Sequence, residues 1–102
     1  MQKELKRRIK DIQNLCQALK VKRLYAFGSS VKGNFNKDSD IDFLISFSDD
    51  ISAEEYSDNY FELHYKLREL LHKEVDIVTE RSLSNPYFIE SIDDSKELIY
   101  EA

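Results

Sequence analysis

Residues 41–47 read IDFLISF, a run that is apolar on both faces once Asp42 is passed. A strand of this kind must be covered on both sides, which is the habit of strands inside α/β layers. The neighbouring patterns supply the cover. Leu5, Ile9, Ile12, Cys16 and Leu19 recur at steps of four and three, one apolar stripe on a helix over about 2–19. Tyr56, Tyr60, Leu63, Leu67 and Leu70 repeat the same spacing and predict a second helix over about 53–72. Two further short apolar runs, RLYAF at 23–27 and EVDIVT at 74–79, read as strands. Ser84-Asn85-Pro86 opens a last helix to about residue 93, because proline suits a first helical turn. ELIYE at 97–101 fits either a final short strand or a helical turn. The order predicts one α/β (α+β) domain over residues 1–102, a small mixed sheet with flanking helices.

Charge narrows the choice of partners. Ten Lys and Arg face two acids, Glu4 and Asp11, in residues 1–37; five face eighteen in residues 38–102. The first part can attract a phosphate-bearing ligand or an acidic partner, and the second repels a nucleic-acid backbone, so direct nucleic-acid binding is disfavoured. Lys3, Lys6, Arg7 and Lys10 read as a solvated basic face. Cys16 is the single cysteine, lies on the apolar stripe and reads as a core thiol with no internal disulfide to form. MQKELKRRIK lacks the apolar stretch of a signal peptide, and no run approaches a membrane span, so the expectation is a cytoplasmic protein.

Chemistry concentrates in residues 28–42, GSSVKGNFNKDSDID, which hold both glycines of the chain. Gly28-Ser29-Ser30 leaves a strand and enters a short helix over 29–33. Glycine lets a ligand approach the main chain, a helix start offers free N–H groups, and the serine hydroxyls and Lys32 add donors and charge. This makes a candidate phosphate cradle of Gly28, Ser29, Ser30, Lys32 and Gly33. It is not a P-loop, because GxxxxGK[ST] is absent. NFNKDSD reads as loop.

Asp40 and Asp42 stand two apart at the head of the 41–47 strand, so their carboxylates share a face. Adjacent anions at the rim of an apolar core call for a neutralising partner, and a hard divalent cation such as Mg²⁺ serves. Asp76, between Val75 and Ile77, is a third acid in an apolar strand. If its strand neighbours 41–47, three carboxylates can hold two Mg²⁺ ions for phosphoryl or nucleotidyl transfer, with Asp76 able to take the nucleophile's proton. His64 and His72, both on the second long helix, read as surface or helix-end residues, and the helix's aromatics, Tyr56, Tyr60, Phe61 and Tyr65, as core and helix contacts.

Gly28-Ser29, ten residues, then Asp40-Ile41-Asp42 resembles the GS-x10-DxD signature of the DNA polymerase β-like nucleotidyltransferase superfamily. Asp76 in VDIV resembles that superfamily's third metal-binding carboxylate. The likeness covers nearly the whole chain and is greatest to the minimal nucleotidyltransferases, many of them antitoxins paired with a small helical HEPN ribonuclease toxin. The resemblance implies the polymerase β-like fold and transfer of AMP from ATP to a tyrosine hydroxyl of such a toxin. By motif position it places the nucleotide phosphates at Gly28 and Ser29, both Mg²⁺ ions at Asp40 and Asp42, and the ion nearest the nucleophile at Asp76. Gly33 fits the motif's second glycine. Lys32 departs from it: many relatives carry arginine there, and lysine keeps the charge without the bidentate fork. Two other readings are an antitoxin that neutralises by binding alone, and a small-molecule nucleotidyltransferase. The last usually needs a further acceptor-holding domain.

Overall fold

The computed structural model describes residues 1–33 and 40–102. In chain order the elements are α1 (Lys3–Arg7), α2 (Ile9–Ala18), β1 (Val21–Phe27), α3 (Ser29–Lys32), β2 (Ile41–Phe47), α4 (Ala53–Leu71), β3 (Val75–Thr79), a 3-10 turn (Glu80–Ser82), α5 (Pro86–Ser95) and β4 (Glu97–Glu101). The expected loop over 34–40 lies, except for Asp40, outside the described residues.

Four strands form one mixed sheet in the order β3-β2-β1-β4. β1 runs antiparallel to β2 and β4, and β2 runs parallel to β3, as a connection through α4 requires. ELIYE is therefore a strand. Pairing with β1 decides it, and Ile99 reaches the core.

Side-chain alternation splits the sheet into two faces. On one, Ile41, Phe43, Ile45 and Phe47 of β2 join Leu24, Ala26, Val75 and Ile77 under α1, α2 and α4. Leu5, Ile12, Cys16, Leu63 and Leu67 are fully buried against them. Each such large apolar side chain contributes roughly 1.5–3 kcal/mol. Burial pushes the Cys16 thiol up to about 12, which keeps it protonated and inert. On the other face a small cluster of Phe27, Leu44 and Ile92 packs under α5.

The predicted helix over 2–19 is two helices that meet at Arg8 (φ −101°, ψ 9°). No glycine or proline announces the break. The first turn is held by other means: the Gln2 side chain accepts from the Leu5 N–H, and the Gln2 backbone N–H donates to the Ser30 carbonyl. A periodic apolar stripe carries no sign of that tether. α4 begins at Ser52, whose hydroxyl accepts from the Glu55 N–H, and ends at His72 in left-handed geometry (φ 52°). Asn85 caps α5 with Pro86 in its first turn.

β3 is an edge strand, and its carbonyls are covered by side chains. Tyr60 Oη donates to the Ile77 carbonyl at 3.2 Å, His64 Nε2 to Val75 at 2.9 Å and Ser82 Oγ to Thr79 at 2.8 Å. Such covering discourages pairing with another chain. His64 is thus a half-buried edge cap rather than a surface residue, while His72 is the helix end expected. Tyr56 and Tyr60 pack on the core as expected; Phe61 and Tyr65 of the same helix are instead 66% and 59% exposed.

Candidate functional site

Asp42 has neighbours on both flanks that the pairing register dictates. Across the antiparallel ladder it faces Phe27, and across the parallel ladder it faces Asp76. The order Phe27, Asp42, Asp76 is a row across β1, β2 and β3. All three belong to the face under α5, in phase with Leu44 and Val78. The two acids far apart in sequence are adjacent because β2 and β3 pair in register. Asp42 is half-buried and Asp76 exposed.

Burial raises the Asp42 carboxyl first, then the charge of Asp76, then that of Asp40, together pushing it up to about 6. A buried carboxylate among like charges favours either a proton or a cation. Asp40 stands exposed just before β2, close enough for its charge to act on Asp42. Among the described residues no three acidic, histidine or cysteine side chains close into a ready-made metal cage. The donor set fits a hard divalent cation nonetheless: carboxylate oxygens only, mutually repelling, and partly open.

The chain turns sharply where β1 ends. Gly28 has φ 76° and ψ −148°, in the half of the map that side chains resist. A Cβ built there would lie 2.8 Å from Asp42 Oδ2. Glycine is required on two counts, backbone angle and the approach of the turn to the carboxylate. The Gly28 carbonyl then accepts from the Val31 and Lys32 N–H groups at 3.0 Å each, starting α3. Gly33 ends α3 with φ 91°, and among the described residues nothing lies within 4 Å of its own would-be Cβ.

The five cradle residues named from the sequence have different surroundings. Ser29 is half-buried at the opening of α3, and Lys32 is exposed on its last turn. Ser30 is 1% exposed, and its hydroxyl donates to the Phe27 carbonyl at 3.3 Å, which turns it inward. The Gly28 N–H donates to Ser95 Oγ at 3.0 Å.

Two residues near the row carried no signal in the sequence. Ser95 sits in the last turn of α5, and only the fold brings it to Gly28. Tyr60 feels the charge of Asp76; burial first, then Asp76, then Tyr56 raise its phenol. Beside it a groove of about 540 Å³ wraps the β3 edge, lined by Tyr56, Tyr60, Phe61, Ile77 and Arg81 among others. The Arg81 guanidinium lies 4.0 Å from the centre of the Tyr56 ring.

Residues 3–99 match the nucleotidyltransferase domain family. A candidate protein adenylyltransferase of Methanocaldococcus jannaschii is 38% identical over 98 residues, 96% of this chain and 92% of that protein. A solved candidate minimal nucleotidyltransferase superposes with a TM-score of 0.72 at 30% identity, covering 91% of this chain and 90% of that one. A chain from a toxin–antitoxin crystal structure containing AMP-PNP gives a TM-score of 0.70 at 25% identity, covering 92% of this chain and 73% of that one.

Proposed function

The chain belongs to the nucleotidyltransferase domain family, and within it we propose that it is a Mg²⁺-dependent protein adenylyltransferase acting as an antitoxin. It transfers AMP from ATP to a hydroxyl, a tyrosine's by resemblance, of a HEPN-type ribonuclease toxin and so silences it. The observation that carries the reading is Asp42, held between the Gly28 turn and Asp76. The names of the relatives add support: a candidate protein adenylyltransferase among them, and a toxin–antitoxin pair crystallised with an ATP analogue.

Each residue has a task in this reading. Ser29 and the turn at Gly28 bind the triphosphate, with Lys32 and Gly33 at the other end of α3. Ser30 supports the turn from within through Phe27. Asp40 and Asp42 would hold Mg²⁺, with Asp76 completing the set on the flank away from Gly28. Bound there, two Mg²⁺ ions would neutralise the carboxylates and the triphosphate and would lower the pKa of the attacking hydroxyl. The acceptor oxygen forms a bond to the α-phosphorus while the bond from that phosphorus to the bridging oxygen breaks. Pyrophosphate leaves on the Gly28 side, and Asp76 takes the acceptor's proton.

Incubation with α-labelled ATP, Mg²⁺ and the toxin encoded alongside should label the toxin, and intact mass gives the number of AMP groups. Asp42→Asn should slow transfer by about a thousandfold, on the order of 4 kcal/mol in the barrier. EDTA should stop the reaction and excess Mg²⁺ restore it. An unlabelled toxin, or a variant as active as wild type, overturns the proposal.

A second reading is favoured by the exposed Phe61 and Tyr65 on α4: neutralisation by covering the toxin, without chemistry. Growth rescue by an Asp40→Asn/Asp42→Asn double variant would establish it, and loss of rescue would leave catalysis as the cause.

A further inference from the structure

We propose that Ser95 is a positioning residue for the nucleotide: its hydroxyl fixes the Gly28 amide and thereby sets the phosphate-facing turn. The inference rests on the nucleotidyl-transfer reading of that turn. Ser95 is 7% exposed, at the last turn of α5. Its oxygen accepts from the Gly28 N–H at 3.0 Å, and its own hydrogen is donated to the Ser91 carbonyl at 3.4 Å. One hydroxyl therefore joins a helix on one face of the sheet to the end of β1.

The bond matters because of what Gly28 is. Its φ of 76° is a conformation that glycine can leave at little cost, since glycine adopts either sign of φ. Something outside the turn must hold it. Val31 and Lys32 hold the carbonyl side of the residue, and Ser95 holds the amide side. Asp42 Oδ2 stands where a side chain at Gly28 would be, so a small rotation at Gly28 alters the gap between the turn and the carboxylate. Because the Gly28 N–H is already spent on Ser95, the donors left for a phosphate begin at Ser29. The serine acts through Gly28 and touches no substrate.

The chain's composition makes this directly measurable. Gly28 and Gly33 are the only glycines, so ¹⁵N-glycine labelling of the full chain gives two amide peaks. A Gly33→Ala sample identifies which is which. Ser95→Ala should shift the Gly28 peak and speed its hydrogen exchange while leaving Gly33 in place. In the transfer assay the same variant should raise the KM for ATP about tenfold, the scale of one lost hydrogen bond, with the KM for the toxin unchanged. Ser95→Thr keeps the hydroxyl and should behave as wild type in both measurements. Ser95→Val matches threonine in shape without the hydroxyl and should behave as alanine, so the Thr/Val pair decides if Ser95→Ala does not fold. An unchanged Gly28 peak in the hydroxyl-less variants overturns the inference, as does an unchanged KM for ATP or an equal rise for both substrates. If the wild-type protein transfers no label, the functional reading falls, and the glycine spectrum alone still decides the role of Ser95.

Discussion

The two faces of the sheet are filled differently. Under α1, α2 and α4 the packing is continuous and apolar, from Leu5 through Phe43 to Leu71. Under α5 it shrinks to Phe27, Leu44 and Ile92, and the space next to them holds Asp42 and Asp76. The same strands serve both, because alternate residues point opposite ways. The first face provides the stability that lets the second keep a carboxylate in an unfavourable place. Proteins commonly concentrate such local disagreement at a functional site.

This division can be broken from either side. Phe43→Ala, on the apolar face, should cost about 3–5 kcal/mol in urea unfolding, while transfer per folded molecule stays near wild type. If activity falls in proportion to stability, the faces are not separable. Asp42→Asn should do the reverse: lose transfer and gain roughly 1–2 kcal/mol of stability at neutral pH, allowing for solvent screening. The sign follows from proton linkage. The folded-state pKa of Asp42 is raised from 3.8 to about 6, so the folded protein binds this proton more tightly than the unfolded chain. Its contribution is most favourable below pH 3.8 and is lost as pH rises towards about 6. The difference in unfolding free energy between wild type and Asp42→Asn, measured across that window, should grow with pH and then level off. A flat difference would mean that Asp42 is not strained in the metal-free protein.

The smallest effect separates the two glycines. Gly33→Ala meets none of the described residues and should cost about 1 kcal/mol for its left-handed backbone. Gly28→Ala carries the same strain and also displaces Asp42 Oδ2. Its loss in ATP affinity should therefore exceed that of Gly33→Ala even where the two melt alike. Equal affinities would mean that contact between the turn and the carboxylate is unimportant.

Much of the fold was legible because local pattern and burial agree. The α4 stripe, the β2 run and the Asn85-Pro86 start of α5 each follow from spacing or from turn chemistry. The break at Arg8 and the identity of ELIYE were not, since no glycine or proline marks the one and an edge pairing with β1 decides the other. The site divides in the same way. Asp42 and Asp76 could be named from the sequence, but their adjacency depended on β2 and β3 being neighbours. Ser95 left no trace, because a serine in the last turn of a helix looks like any other until the chain brings Gly28 to it. Ser30 shows the converse: its position in the motif suggests a ligand contact, whereas its hydroxyl is occupied within the core.

The row of Phe27, Asp42 and Asp76 has a consequence for how the chain holds together. Its members come from three strands, and the β2–β3 pair is joined only through the length of α4. Closing such a loop costs chain entropy before its contacts repay it. A nucleotide that binds across the row binds only chains in which that closure is complete. At a free concentration a hundred times its Kd it would add about 2.7 kcal/mol to the folded state. The substrate would then act as a clamp on the β2–β3 edge of the sheet, making ATP supply a determinant of how long this small protein survives unfolding and proteolysis.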